Sequence, residues 1–326
     1  MTRSNFILMS GSSFPADAKA VLYDATDPKA PIIGKSVESA PIEMWSFTNN
    51  KDTVGGVAVD IKGNVYSAGW DNIVRKIESN GSQAWFFSGN TKSVLAVAVD
   101  LQFNVYSGGS DYTVRKISSS GSQVWQFNGN TSVVRSVAVD LQGNVYSAGA
   151  DTTVRKINSN GSQIWSFTGN GHWVYGVAVD LQGNVYSGGA DNTVRKINSN
   201  GQQVWSFTGN VYGVESVAVD VLGSVYSGGD DNTVRKINSN GQQVWSFTGN
   251  TNTVRSVAVD LQGNVYSGSD DNTVRKISSS GNQVWSFAGN TDWVNSVAVD
   301  LIGNVYSGGT DHTVRKIWDG YIIHTA

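Results

Sequence analysis

The tetrapeptide Val-Ala-Val-Asp ends at Asp60, Asp100, Asp140, Asp180, Asp220, Asp260 and Asp300, seven copies at an unbroken spacing of 40 residues. Tryptophan keeps the same period from Trp45 to Trp285, and an Arg-Lys pair keeps it from Arg75-Lys76 to Arg315-Lys316. A chain this regular builds one supersecondary unit seven times, and each unit buries its apolar surface against its neighbours. Within one unit, Val214 to Val219, Ser224 to Ser227, Thr233 to Ile237 and Gln243 to Phe247 are short runs rich in Val, Ile, Trp, Tyr and Phe, which favour strands. Between them, Asp220 to Gly223 and Asn238 to Gly241 read as turns that open on Asp or Asn and close on Gly. Each unit is therefore expected to be four antiparallel strands, with no helix. Apolar residues stand on both sides of several pleats, so both faces of each sheet are expected to be covered.

Four strands in ~40 to 45 residues is the arithmetic of a propeller blade, and seven units make seven blades. The expected fold class is all-β, a seven-bladed β-propeller of four-stranded antiparallel blades over residues 42–326, with a short N-terminal arm over residues 1–41. Ile42 to Thr48 duplicates the fourth strand of the repeat but precedes the first strand of the first full unit, while Thr313 to Trp318 has no full fourth strand after it. The ring is expected to close by a noncovalent clasp in which strand 42–48 completes the last blade. Tyr321 to Ala326, after a tight Asp319-Gly320 turn, is read as a competitor for that edge or an extension of it. All four prolines lie in the first 41 residues. The apolar pieces there, Phe6 to Met9, Ala20 to Tyr23 and Ile32-Ile33, are too short for a core of their own, so the arm is read as an attachment segment.

Three stretches also resemble known propeller families. Residues 176–189, GVAVDLQGNVYSGG, resemble NHL-type repeats; residues 231–237, DNTVRKI, resemble the end of a WD repeat; residues 263–287 are similar to the tryptophan-docking repeats of quinoprotein-like propellers. Together the resemblance spans about 285 residues and implies the propeller fold. The pairs that mark WD repeats are replaced here by Gly209-Asn210 and Ile237-Asn238, with Trp318-Asp319 only in the last copy. The hydrogen-bond relay of a WD blade is accordingly expected to be altered. The repeated Asn50 to Asn290 and Asp71 to Asp311 are expected to link two neighbouring loops of a blade.

Composition narrows the function classes. The 23 Lys and Arg nearly balance 26 Asp and Glu, for a net charge of −3, which lacks the basic footprint of a nucleic-acid binder. The absence of cysteine removes disulfides, thiolate metal sites and a cysteine nucleophile. The first apolar run is too short for a secretory signal, and no stretch nears the ~18 to 20 residues of a membrane span. A soluble protein is expected, cytoplasmic or part of a virion or other assembly built in the cytoplasm. The histidines His172, His312 and His324 share no repeat position, so no metal cluster is expected. No nucleophile elbow or phosphate loop appears, and seven near-identical blades do not display the exceptional residues a quinone cofactor would need. Asp in the VAVD turn bonds backbone amides two residues on, and the Arg-Lys pairs are read as holding adjacent blades or their own turns. No catalytic residue, cofactor or metal is therefore expected, and the chain is read as no enzyme.

What varies between repeats carries more information. Changes collect in the residues before the constant Val of the first strand, at the residue just after it, and at the two positions flanking the constant Asp of the second turn. In an antiparallel meander these positions share one end of the sheet, while the LQGN and NSNG turns at the other end barely change. Unconstrained drift would affect both ends. The diversified end is therefore read as a binding face, with Trp70, Tyr112, Arg135, His172, Trp173, Tyr175, Tyr212, Glu215, Arg255, Trp293 and His312 as candidate ligand-binding residues. Flat aromatics beside hydrogen-bonding groups suit a protein partner or a surface glycan. The aromatics Trp70, Tyr112, Trp173, Tyr175 and Trp293 are expected to be more exposed than the repeated tryptophans such as Trp205. Two other readings stay open: a structural component of a larger assembly, such as a virion or tail appendage anchored by the arm, and a hydrolase or lyase, which a polar cluster around the central channel would favour.

Overall fold

The Val, Tyr and Ile side chains of each repeat find their packing partners in the next repeat, and this sets the architecture. The computed structural model, which describes residues 23–24, 27–31 and 37–323, is a seven-bladed β-propeller of four-stranded antiparallel sheets without a helix among those residues. β1 (Tyr23–Asp24) and β2 (Asp27–Pro31) form a two-stranded hairpin, and β3 (Val37–Phe47) follows. Blade 1 is the meander β4 (Val54–Val59), β5 (Val65–Gly69), β6 (Val74–Ile77) and β7 (Gln83–Phe87). β8 to β27 repeat this set through blades 2 to 6 over residues 94–287. Blade 7 consists of β28 (Val294–Val299), β29 (Val305–Gly309) and β30 (Val314–Ile323), with β3 as its fourth strand.

Both ends of the repeat array thus share one sheet. β30 runs unbroken through Asp319 and Gly320, where the sequence suggested a tight turn. The cause is pairing, because the eleven-residue β3 offers backbone partners to a longer β30 than any other third strand has. Pro41 sits in β3, on the sheet edge where a missing N–H is tolerated. Most of the arm read over residues 1–41, including Phe6 to Met9 and Ile32-Ile33, lies outside the described residues, as does His324.

The core lies between blades. Tyr186 and Val194 of blade 4 pack with Val214, Val217, Val225 and Ile237 of blade 5, and Trp205 and Phe207 close the cluster. The buried Tyr186 hydroxyl donates to Asp180 Oδ2 (3.0 Å), while Asp180 Oδ1 accepts from the amides of Gln182 (3.0 Å) and Asn184 (2.8 Å). The VAVD aspartate therefore holds its turn and also satisfies a hydroxyl that burial would otherwise leave without a partner. Burial and the adjacent Asp180 together raise the tyrosine pKa. Lys196 Nζ lies over the same ring, 5.4 Å from the Tyr186 centroid.

Tryptophan ties each blade to the next. Trp205 Nε1 donates to the Ser239 carbonyl of blade 5 (3.0 Å), and its indole covers Gly241. Gly241 has φ +84°, and a Cβ there would lie 3.0 Å from Trp205 Cδ2, so two independent constraints select glycine.

Candidate binding face

Each blade's first strand lines the central channel and touches the first strands of both neighbouring blades. In every one of these strands the pairing register slips just after the constant Val. In blade 3 it passes from Val134↔Gly149 to Ser136↔Ala148, leaving Arg135 as the extra residue of a β-bulge. The same shift falls at Gly55, Leu95, Tyr175, Glu215, Arg255 and Asn295. A bulge re-aims the side chain it carries. These seven residues, with Trp70, line one cavity of about 160 Å³ at the mouth of the channel.

The residue fifteen positions later, beside the constant Asp of the second turn, faces each bulge residue in several blades. A Cβ on Gly55 would lie 3.0 Å from Trp70 Nε1, so the missing side chain makes room for the indole. Asn295 Nδ2 donates to Thr310 Oγ1 (3.3 Å). Arg255 makes a bidentate pair with Asp270, Nε to Oδ1 at 2.9 Å and Nη2 to Oδ2 at 2.7 Å, and lies 3.7 Å from Glu215. Its guanidinium also lies 5.5 Å from the Trp293 ring. Arg135 has the matching aromatic neighbour, Trp173 at 5.4 Å, and Tyr175 at 5.0 Å. At the acid position, however, its blade has Ala150.

Electrostatics at the mouth are uneven. Burial, and then the adjacent Asp230, push the Glu215 carboxyl up to about 7, against the opposing pull of Arg255 and Arg135. Burial likewise raises Asp230 and Tyr175. The hydrogen bonds to Asp270 hold Arg255 more firmly protonated than a free guanidinium.

Around the mouth, Trp70, Tyr112, Trp173, Tyr212 and Trp293 are exposed, from 41% for Tyr112 and Trp173 to 60% for Tyr212, whereas the repeated Trp205 is half-buried and Trp285 is buried. His172 and His312 are exposed beside them. Tyr175 departs from the expected exposure: it is half-buried, because its bulge turns the ring into the channel mouth against Arg135. The second turn also holds its third residue in the left-handed region, at Asn72, Tyr112, Thr152, Asn192, Asn232, Asn272 and His312. Asparagine and histidine tolerate that conformation, while Tyr112 and Thr152 occupy it at a conformational cost.

The Asn-to-Asp link expected from the sequence runs through an arginine, as in blade 2. Asn90 Nδ2 donates to the Asn72 carbonyl of the preceding blade (3.3 Å), and Asn90 Oδ1 accepts from Arg115 Nη1 (3.0 Å). Arg115 Nη1 donates in turn to Asp111 Oδ2 (2.7 Å), which also accepts the Thr91 amide (3.2 Å). A guanidinium offers donors to both an amide oxygen and a carboxylate, which two acceptor oxygens cannot do for each other.

Against this geometry, the family described as "Outer membrane protein assembly factor BamB" matches residues 110–221 and 190–315, more than half of the chain. The chain belongs to this family. The crystal structure of the WD40 β-propeller domain of Doa1 is similar in fold, with a TM-score of 0.78 at 19% identity over 86% of this chain and 98% of that one. No curated protein matches the sequence.

Among BamB-type blades of this regularity, the bulge is what the sequence reading missed: the seven residues after the constant Val were singled out by their variation, but nothing in their identity announces a register shift. The sequence also gave no weight to the opposite end. There Ile61, Leu101, Leu141, Leu181, Val221, Leu261 and Leu301 form an exposed aliphatic series, extended by Leu222 (81%) and Ile302 (86%).

Proposed function

We propose that this BamB-family propeller is a non-enzymatic binding module that presents its diversified end, centred on the channel mouth, to a protein partner. One observation carries the reading. Seven structurally equivalent bulge positions around a single opening hold Gly, Leu, Arg, Tyr, Glu, Arg and Asn, in a chain whose turns at the opposite end repeat nearly verbatim. A framework needs no such variety, whereas a face complementary to one asymmetric ligand does. Tyr112, kept at a strained turn position on the same face, supports it. A surface glycan suits the exposed aromatics as well, and the arm at residues 1–41 serves as a tether to a larger assembly, such as a virion or tail appendage. Selection of displayed peptides and an array of glycans against the full chain tests the reading. Ligands should be lost on combined Trp173→Ala, Tyr212→Ala and Trp293→Ala substitution, while retention of every ligand would refute it.

A second reading, a hydrolase or lyase, gains from the polar cluster of Arg135, Tyr175, Glu215 and Arg255 in the mouth, where a carboxyl raised to about 7 has the protonation state of a general acid. Mass spectrometry of selected ligands after incubation separates the two. A binding module returns them intact, and turnover abolished by Glu215→Gln would establish the enzyme.

A further inference from the structure

Arg135 and Arg255 occupy the same place in blades 3 and 6, on the bulge of the first strand with a tryptophan of the following blade beside each guanidinium. They differ in one neighbour. Asp270 saturates Arg255 with a bidentate pair, and Glu215 adds a second acid at 3.7 Å. In blade 3 the residue at the position of Asp270 is Ala150, a methyl group with no acceptor. Among the described residues Arg135 makes no hydrogen bond and no ion pair, and its Nε is buried without a partner. A guanidinium has five N–H donors in a fixed fork, and leaving one buried and unmet costs the desolvation of that donor. The cavity of about 160 Å³ at the mouth opens onto this group.

From this difference between two equivalent arginines, we infer that Arg135 is the recognition site for a carboxylate of an acidic peptide segment, whose side-chain carboxyl takes the place that Asp270 fills at Arg255. Planar, two-point pairing with a carboxylate is the strongest use of a guanidinium fork, and the flanking Trp173 and Tyr175 rings limit its motion and exclude water. Glu215 lies in the same cavity but pairs with Arg255 and makes no ion pair with Arg135. The rest of the lining favours a peptide carboxyl over a sugar acid. Gly55 and Leu95 offer nothing to the ring hydroxyls of a uronate and the Asn295 amide already donates to Val54 and Thr310, whereas a glutamate arm brings only methylenes behind its carboxylate.

The inference rests on the proposed binding face and is tested so that the two fail separately. Random twelve-residue peptides are displayed and selected against the full chain, then against Ala150→Asp and Arg135→Gln. Ala150→Asp keeps the arginine but supplies the internal acid that blade 6 already tolerates, so the folded state is preserved by precedent. Wild type should enrich Asp and Glu at one peptide position, and both variants should lose that enrichment. Titration of a selected peptide should show binding weakened by about tenfold to a hundredfold in each variant, and equally when its acid is changed to Gln or Asn. Acidic enrichment that survives both substitutions, or peptides selected without any acid preference, would overturn the inference while leaving the binding face intact. Failure to select any peptide would overturn both.

Discussion

Arg255, on the first strand of blade 6, and Asp270, in the second turn of the same blade, close a two-point ion pair at the channel mouth, with hydrogen bonds of 2.9 and 2.7 Å. Asp270 is buried and Arg255 keeps 31% of its side chain exposed, so the pair is shielded on one side only. Removing one partner leaves the other charge partly desolvated. Asp270→Ala is expected to lower stability by about 1 to 3 kcal/mol in chemical denaturation. A double-mutant cycle with Arg255→Met should return a coupling of the same sign; additive effects would mean that the pair contributes nothing.

Glu215 makes stability depend on pH. Its folded pKa, raised to about 7, lies above the ordinary glutamate value of 4.5, so between those values the folded state binds more protons than the unfolded one. Stability from this group is therefore fully present below about pH 4.5 and is lost as pH rises through about 7. Glu215→Gln should remove that dependence and raise the melting temperature at pH 8 more than at pH 5. An equal effect at both values would contradict the assignment.

The second turn of blade 3 holds Thr152 at φ +61°, where Asn192, Asn232 and Asn272 stand in other blades. A β-branched residue is poorly suited to that region, and asparagine is suited to it. Thr152→Asn should stabilise the protein by about 0.5 to 1 kcal/mol, read from the denaturant midpoint. The Thr152 carbonyl accepts from Asn170 whichever side chain stands there, and a destabilised variant would show that the strain is misjudged.

At the opposite end, Gly241 should not accept alanine. The positive φ and the Trp205 ring at 3.0 Å from the added Cβ act together, so Gly241→Ala is expected to cost about 1 to 3 kcal/mol and to raise the fluorescence exposure of a tryptophan. Neutral behaviour would mean that the docking of each tryptophan on the next blade adds little.

The seven-bladed fold was legible because the repeat states it seven times over: spacing, strand composition and turn residues all agree, and the packing of Tyr186 against Val214 follows from that agreement. The diversified end was legible for the same reason, since variation stands out against near-identity. Side-chain partners were less so. Asn90 and Asp111 recur together in the sequence, but only coordinates reveal that Arg115 stands between them. The bulge at Arg135 was invisible because it depends on pairing with β-strand neighbours, not on the type of residue bulged. The continuous β30 was missed because Asp319-Gly320 is a turn signal that a long partner strand overrides.

Two ends of the ring compete for the role of binding face, the varied one around Trp173, Tyr212 and Trp293, and the uniform one around Leu222 and Ile302. Surface changes usually stay within ~0.5 kcal/mol of stability, whereas loss of an anchoring aromatic costs ~1 to 2 kcal/mol or more of binding. The decisive measurement is the affinity of a selected ligand for the Trp173→Ala, Tyr212→Ala, Trp293→Ala variant and for the Leu222→Ser, Ile302→Ser variant, each checked for an unchanged melting temperature. Binding lost by about tenfold or more in the first and retained in the second is the predicted result; binding retained in the first and lost in the second would contradict the account.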